Sequence, residues 1–141
     1  MKKLFTLAFV GIFTLTSLSS FAYGVINPLK EKNSKEIMVR YLQAIVLGSD
    51  AYNAYLFSKD FQYSNTANND VYSKKEYLKF LKATKGLKFN CKVDYKILDE
   101  TGNSCVAKAI MEFENFTRLD YITICKTEDG WKVSKVITTY P

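Results

Sequence analysis

From Lys35 to Leu47 the apolar residues fall at Ile37, Met38, Tyr41, Leu42, Ile45 and Val46. That spacing returns to one side every three to four residues and predicts an amphipathic helix. Ser34 is placed to cap it, Glu36 suits its first turn, and Gly48 suits its end. Ser49 opens a short second helix through Asp50 to Phe57, with Tyr52, Tyr55 and Leu56 on one side. Phe61-Gln62-Tyr63-Ser64 alternates and predicts a short strand, and the asparagine-rich Asn65 to Asp70 predicts a polar turn. Ser73-Lys74-Lys75-Glu76 is a capping box, in which the serine oxygen accepts from the Glu76 amide and the glutamate reaches back. A third helix therefore starts near Lys74, carries Tyr77, Phe80 and Leu81 on its apolar stripe, and stops at Gly86.

After Gly86 the period changes to two. Phe89, Cys91, Val93, Tyr95 and Ile97 alternate with Lys88, Asn90, Lys92, Asp94 and Lys96, which predicts a strand with one wet, lysine-rich face. A turn at Asp99 to Asn103 leads to a long strand, Cys105 to Phe116, with Cys105, Ala107, Ala109, Met111 and Phe113 on one face. A weaker turn lies at Thr117 to Asp120. Tyr121 to Lys126 is a third strand, Glu128-Asp129-Gly130 a tight turn, and Trp131 to Tyr140 a fourth strand. Helices followed by an antiparallel meander make an α+β domain, a twisted sheet with one solvated face and one face under the helices.

The N-terminus reads differently from the rest. Lys2 and Lys3 precede an uncharged, mostly apolar run from Leu4 to Leu18, and Ser20-Phe21-Ala22 offers small residues for cleavage. This is the pattern of a secretory signal peptide over 1–22. The run is about 15 residues, short of the roughly 20 that span a bilayer, and no cysteine near the cleavage site offers a lipid anchor. Residues 23–34 read as a leader segment and 35–141 as the domain. The product is expected to be secreted or periplasmic, with no membrane contact once the signal is cleaved.

Composition narrows the chemistry. Hydrophobic residues make up 48% and charged residues 24% of the 141, a globular balance that suits one domain. Histidine is absent, which removes histidine-based triads, histidine metal sites and histidine pH switches together. The formal charge of +6 includes Lys2 and Lys3, the remaining lysines are scattered, and Arg40 and Arg118 are the only arginines, so no basic face for nucleic acid is expected. No metal site or cofactor is expected either.

The order of elements resembles the nuclear transport factor 2-like superfamily, a cone-shaped, cystatin-like α+β fold. Within it, the chain is similar to the lumazine-binding-like secreted bacterial proteins. The resemblance is carried by Tyr41-Leu42-Gln43-Ala44-Ile45 with Gly48-Ser49-Asp50, by Leu56 to Tyr63, by the Ser73 to Leu81 helix, and by Asp129-Gly130-Trp131-Lys132-Val133 with Val136. It covers about residues 35–140. Gln43 to Gly48 is also near the Gln-x-Val-x-Gly loop of cystatin inhibitors, but the spacing is off by one and the segment is helical.

The resemblance implies N-terminal helices on a curved antiparallel sheet that closes around a pocket. Its lining is expected from Leu42, Ile45, Leu56, Phe61, Tyr63, Tyr77, Phe80, Leu81, Phe89, Met111 and Phe113, several of which serve equally to fill a core. The expected function is a non-catalytic module that binds a small apolar or aromatic ligand, or a partner. The alternative is a small enzyme of the ketosteroid isomerase or polyketide cyclase type. Such an enzyme needs a carboxylate base in a dry cavity beside a hydroxyl donor. The candidates are Asp60, with Tyr63 or Tyr77 as donors, while Asp94 falls on the wet face. No acid falls on the inward face of the first two long strands. The resemblance also implies a homodimer through the exposed sheet face, where Val106, Ile110 and Val136 interrupt the polar pattern.

The three cysteines close the reading. With turns centred near 101 and 118, Cys91 and Cys125 flank the middle strand at one level, roughly 9.5 Å apart, and Cys105 lies about six residues away. A disulfide needs Cα atoms within about 7 Å, so three free thiols are expected. Asn115-Phe116-Thr117 matches a glycosylation acceptor, a chemistry that the bacterial resemblance discounts.

Overall fold

The computed structural model describes residues 26–141; the expected signal segment, with its expected cleavage after Ala22, lies outside the described residues. The elements run α1 (Ser34–Val46), α2 (Asn53–Leu56), β1 (Phe57–Asn65), β2 (Asp70–Ser73), α3 (Lys74–Ala83), β3 (Lys92–Thr101), β4 (Ser104–Glu112), β5 (Thr117–Thr127) and β6 (Gly130–Thr139).

Asn33, not Ser34, caps α1. Its side chain accepts from the Glu36 amide at 2.9 Å and the Glu36 carboxylate accepts from the Asn33 amide at 2.9 Å, a full capping box one residue earlier than expected. Ser34 is buried instead, its hydroxyl donating to Glu100. The second helix shrinks to one turn, because Phe57 already adopts extended backbone and opens β1. For α3 the Ser73 hydroxyl accepts from the Glu76 amide at 3.3 Å, but the other half of the expected box does not form, since the Glu76 carboxylate accepts from the Ser73 hydroxyl at 3.0 Å instead of from its amide.

The six strands form one sheet in the order β2-β1-β6-β5-β4-β3. It is mixed rather than purely antiparallel, since β1 runs parallel to β6. Alternation along a strand fixes which face is buried but not the direction of its neighbour. Part of the asparagine-rich turn also proves to be strand. Asn65 and Asn68 accept from the Ala67 and Asp70 amides, Asn69 takes φ 60°, and Asp70 to Ser73 returns alongside β1. Likewise β5 begins at Thr117, within the expected turn, because the chain reverses at 113–116.

Helices α1 and α3 cover the inner face. Ile37, Met38 and Tyr41 meet Ala107, Ala109 and Met111 of β4, Ile122 and Ile124 of β5, and Val133 and Val136 of β6 in one buried cluster. Burying a side chain of this size is worth about 1.5–3 kcal/mol. Val136 is therefore core, and the apolar residues of the outer face are Val106, Ile110, Leu119 and Ile137, which share that face by register. The described residues ahead of α1 dock onto the domain through Asn27 and Leu29. Leu29 is buried, and the Asn27 amide donates to the Asp129 carbonyl at 2.8 Å in the β5–β6 turn.

Cys91, Cys105 and Cys125 are free, but not for the expected reason. The turns fall at Gly102-Asn103 and at 113–116, so Cys125 pairs with Ser104, next to Cys105. Adjacent positions on a strand point to opposite faces. Cys105 is buried on the inner face, and Cys125 lies on the outer one against the Ser134 hydroxyl at 3.4 Å.

Candidate functional site

Four rings form a row beneath α3. Tyr72 of β2 stacks on Tyr63 of β1 (5.8 Å, 10° between planes), Tyr63 on Tyr77 of α3 (4.9 Å, 18°), and Tyr77 on Phe80 (6.0 Å, 26°). Positions 63 and 72 face each other across the hairpin, and 77 and 80 lie one helical turn apart, so the hairpin and α3 together build the row. Beside it lies a cavity of about 210 Å³, closed by Tyr140, Arg118, and the polar rim of Asn65, Asn68 and Asp70. A smaller void of about 40 Å³ shares Tyr77, Phe80 and Arg118 and runs between Ile45, Leu81 and Phe89.

Arg118 and Asp120 form the floor. Asp120 is wholly buried, yet both its oxygens are filled. Oδ1 accepts from Arg118 Nε at 2.9 Å and the Thr138 hydroxyl at 2.7 Å, and Oδ2 accepts from Arg118 Nη2 at 3.0 Å and the Tyr41 hydroxyl at 2.8 Å. A carboxylate has about four lone-pair sites, so this one has no acceptor capacity left. The bidentate grip holds the guanidinium plane, with its carbon 5.9 Å from the Phe89 ring centre. Arg118 Nη1 takes no acceptor among the described residues.

The network sets the ionisation of its neighbours. Burial, then the Asp120 charge, pushes the Tyr41 phenol well above its usual range. Burial raises Tyr77 in the same way, and raises Tyr63 in spite of Thr138 and Arg118. Burial opposes the charge on Arg118, but Asp120 outweighs it and holds the guanidinium firmly protonated. These tyrosines stay neutral donors across the physiological range.

Of the residues expected to line a pocket, Tyr63, Tyr77 and Phe80 meet at the larger cavity, and Ile45, Leu81 and Phe89 join Tyr77 and Phe80 at the smaller void. Leu56, Phe61 and Met111 are buried in the core, and Leu42 and Phe113 pack against its edge. Asp60 stands elsewhere. It is exposed on β1, accepts from the Ser58 hydroxyl at 2.9 Å, and lines an outer cleft of about 720 Å³ with Lys74, Asp129 and Lys132. That cleft is larger, but its Lys132 is already taken by Asp129 at 3.2 Å and the Tyr55 carbonyl at 2.9 Å. Convergent buried polar groups, rather than volume, favour the aromatic cleft.

Residues 30–137 match the family model described as "Putative lumazine-binding". The chain belongs to this family. No curated protein matches it. Among solved structures it is similar to a Silicibacter pomeroyi nuclear transport factor 2-like protein of unknown function (9% identity, TM-score 0.61, 76% of this chain and 92% of that one). It is also similar to a Pectobacterium atrosepticum protein of unknown function (17%, TM-score 0.64, 76% and 87%). A third likeness is to a Shewanella frigidimarina protein described as a "putative ketosteroid isomerase" (18%, TM-score 0.59, 74% and 92%). At these identities the likeness shows the nuclear transport factor 2-like fold, and the family's α+β cone is the architecture described above.

Within this family member, sequence reasoning missed Arg118, Asp120, Thr138 and Tyr41 as a unit, by placing Thr117 to Asp120 in a turn. The signal was present. Stepping back by two from Ile124 and Ile122 reaches Asp120 and Arg118, which puts both on the inner face.

Proposed function

We propose that this protein is a non-catalytic binding module that holds a small, flat ligand in the aromatic cleft, with a ligand acceptor atom on Arg118 Nη1. The observation that carries the reading is the fourfold filling of Asp120, which fixes Arg118 beside four rings and leaves one guanidinium nitrogen unclaimed. Preorganised donors of this kind orient ligands at little entropic cost. The family description supports a flat heteroaromatic ligand, and a cavity below the roughly 300 Å³ of drug-sized sites suits one or two rings.

The isomerase-like alternative needs a carboxylate free to take a proton. Asp120 has every acceptor site occupied, and Asp60 is exposed on another part of the molecule. Both observations favour binding over proton transfer. A thermal-shift panel of one- and two-ring heteroaromatics tests the reading, since anything that binds only the native state raises the midpoint. Hits that stabilise the protein but not Phe80→Ala support it; a panel with no hits at millimolar concentration refutes it.

The 1–22 signal pattern supports a secreted or periplasmic protein. N-terminal sequencing of exported protein should begin near Tyr23. The apolar Val106, Ile110, Leu119 and Ile137 of the outer sheet face support a homodimer formed by an isologous contact. Light scattering should give twice the chain mass, and a monomer mass at tens of micromolar defeats this.

A further inference from the structure

We infer that the aromatic cleft selects neutral ligands over carboxylates, and that Asp120 is the positioning residue that sets this selection; the inference rests on the ligand-binding reading above. An arginine on a cavity floor ordinarily suggests an anion site. Here the guanidinium is already countered. Two of its nitrogens lie at 2.9 and 3.0 Å from the two oxygens of a fully buried carboxylate. A second acid stands at the mouth. Asp70 lines the same cavity, its Oδ2 fixed by Asn68 Nδ2 at 2.8 Å and the Tyr72 hydroxyl at 3.0 Å.

The charged groups that face or floor the cleft are thus Arg118, Asp70 and Asp120, one positive against two negative. A carboxylate entering it gives up its hydration among rings and meets a surplus of negative charge. A carbonyl oxygen accepts from Arg118 Nη1 and brings no charge. Removing the Asp120 charge leaves Arg118 uncompensated and shifts the balance toward the anion.

The test is calorimetric titration at low salt with 2-naphthamide and 2-naphthoate, which share a ring system and differ in charge. The wild-type protein should bind the amide at least about tenfold more tightly, the scale of one unit-charge interaction at partly screened separation. In Asp120→Asn the amide-to-carboxylate affinity ratio should fall by about tenfold or more. A purely structural role for Asp120 weakens both compounds together and leaves the ratio unmoved, which overturns the inference. Should Asp120→Asn not fold, Asp70→Asn on the half-buried rim tests the charge balance alone and must lower the same ratio. Phe80→Ala must weaken amide binding, or the compounds sit elsewhere and the inference falls. Naphthoate binding as tightly as the amide to wild type overturns the inference alone. Failure of both compounds to bind overturns the inference, and the heteroaromatic thermal-shift panel then decides separately whether the ligand-binding reading falls with it.

Discussion

Tyr41→Phe removes one oxygen from the centre of the molecule and nothing else. The ring is fully buried on α1, and its hydroxyl donates to Asp120 Oδ2 at 2.8 Å across 79 positions of chain. Phenylalanine keeps the packing, so no cavity term enters. What is lost is a buried hydrogen bond to an ionised group, worth about 1.5–3 kcal/mol. Asp120 Oδ2 keeps Arg118 Nη2 at 3.0 Å, which places the cost within that range rather than at the larger penalty of an orphaned charge. With a urea slope of about 1–3 kcal/mol/M, the midpoint should fall by about 1 M while the slope stays unchanged. Tyr95→Phe is the control. That residue is half-buried on β3 with no hydroxyl partner among the described residues, and its loss should cost less than about 0.5 kcal/mol. If Tyr41→Phe unfolds within about 0.5 kcal/mol of wild type, the Asp120 carboxylate is not held as described, and Arg118 loses its fixed orientation with it.

Alkaline stability follows from the raised phenols of Tyr41, Tyr63 and Tyr77. Below about pH 10 folded and unfolded chains both keep these protons and the contribution is complete; above it the unfolded chain ionises first, so the urea midpoint should fall with rising pH. Absorbance at 295 nm should show part of the ten tyrosines ionising only with unfolding. Gly130→Ala should destabilise by about 2 kcal/mol or more, since φ is +93° and a Cβ would stand 2.6 Å from the Lys30 carbonyl oxygen; Gly102→Ala, with φ +60° in open space, should cost about 1 kcal/mol. Thiol titration of denatured, unreduced protein should count three, and a count of one would mean a disulfide that these strand registers do not allow.

The elements that were legible in the sequence are those whose reason is local. The Ser73 to Glu76 box and the alternation after Gly86 each specify a helix start and a buried face within a few residues. Strand registers were not legible, because they depend on where a turn is centred. A displaced turn exchanged the expected neighbours of Cys125 and carried Arg118 and Asp120 out of their strand. The parallel pairing of β1 with β6 joins residues such as Tyr63 and Val136, and no pattern along either strand encodes it. Of the cleft, Tyr63, Tyr77 and Phe80 were visible as apolar positions on a strand and a helix, while Tyr72 and Tyr140 were not, because the hairpin that brings Tyr72 in was read as a turn. The polar floor was not, since a charge on an inner face reads as a turn until Tyr41 and Thr138 are seen beside it.

The proposed ligand enters between the aromatic row and Arg118. The most direct measurement is a titration of isotope-labelled protein with 2-naphthamide, followed through backbone amide and arginine side-chain resonances. Shifts should concentrate on Tyr63, Tyr72, Phe80 and Tyr140 and on the Arg118 guanidinium, groups that line the 210 Å³ cavity. Shifts concentrated on Lys59, Lys74 and Lys132 in the outer cleft, with the Arg118 signal unmoved at saturation, would contradict it.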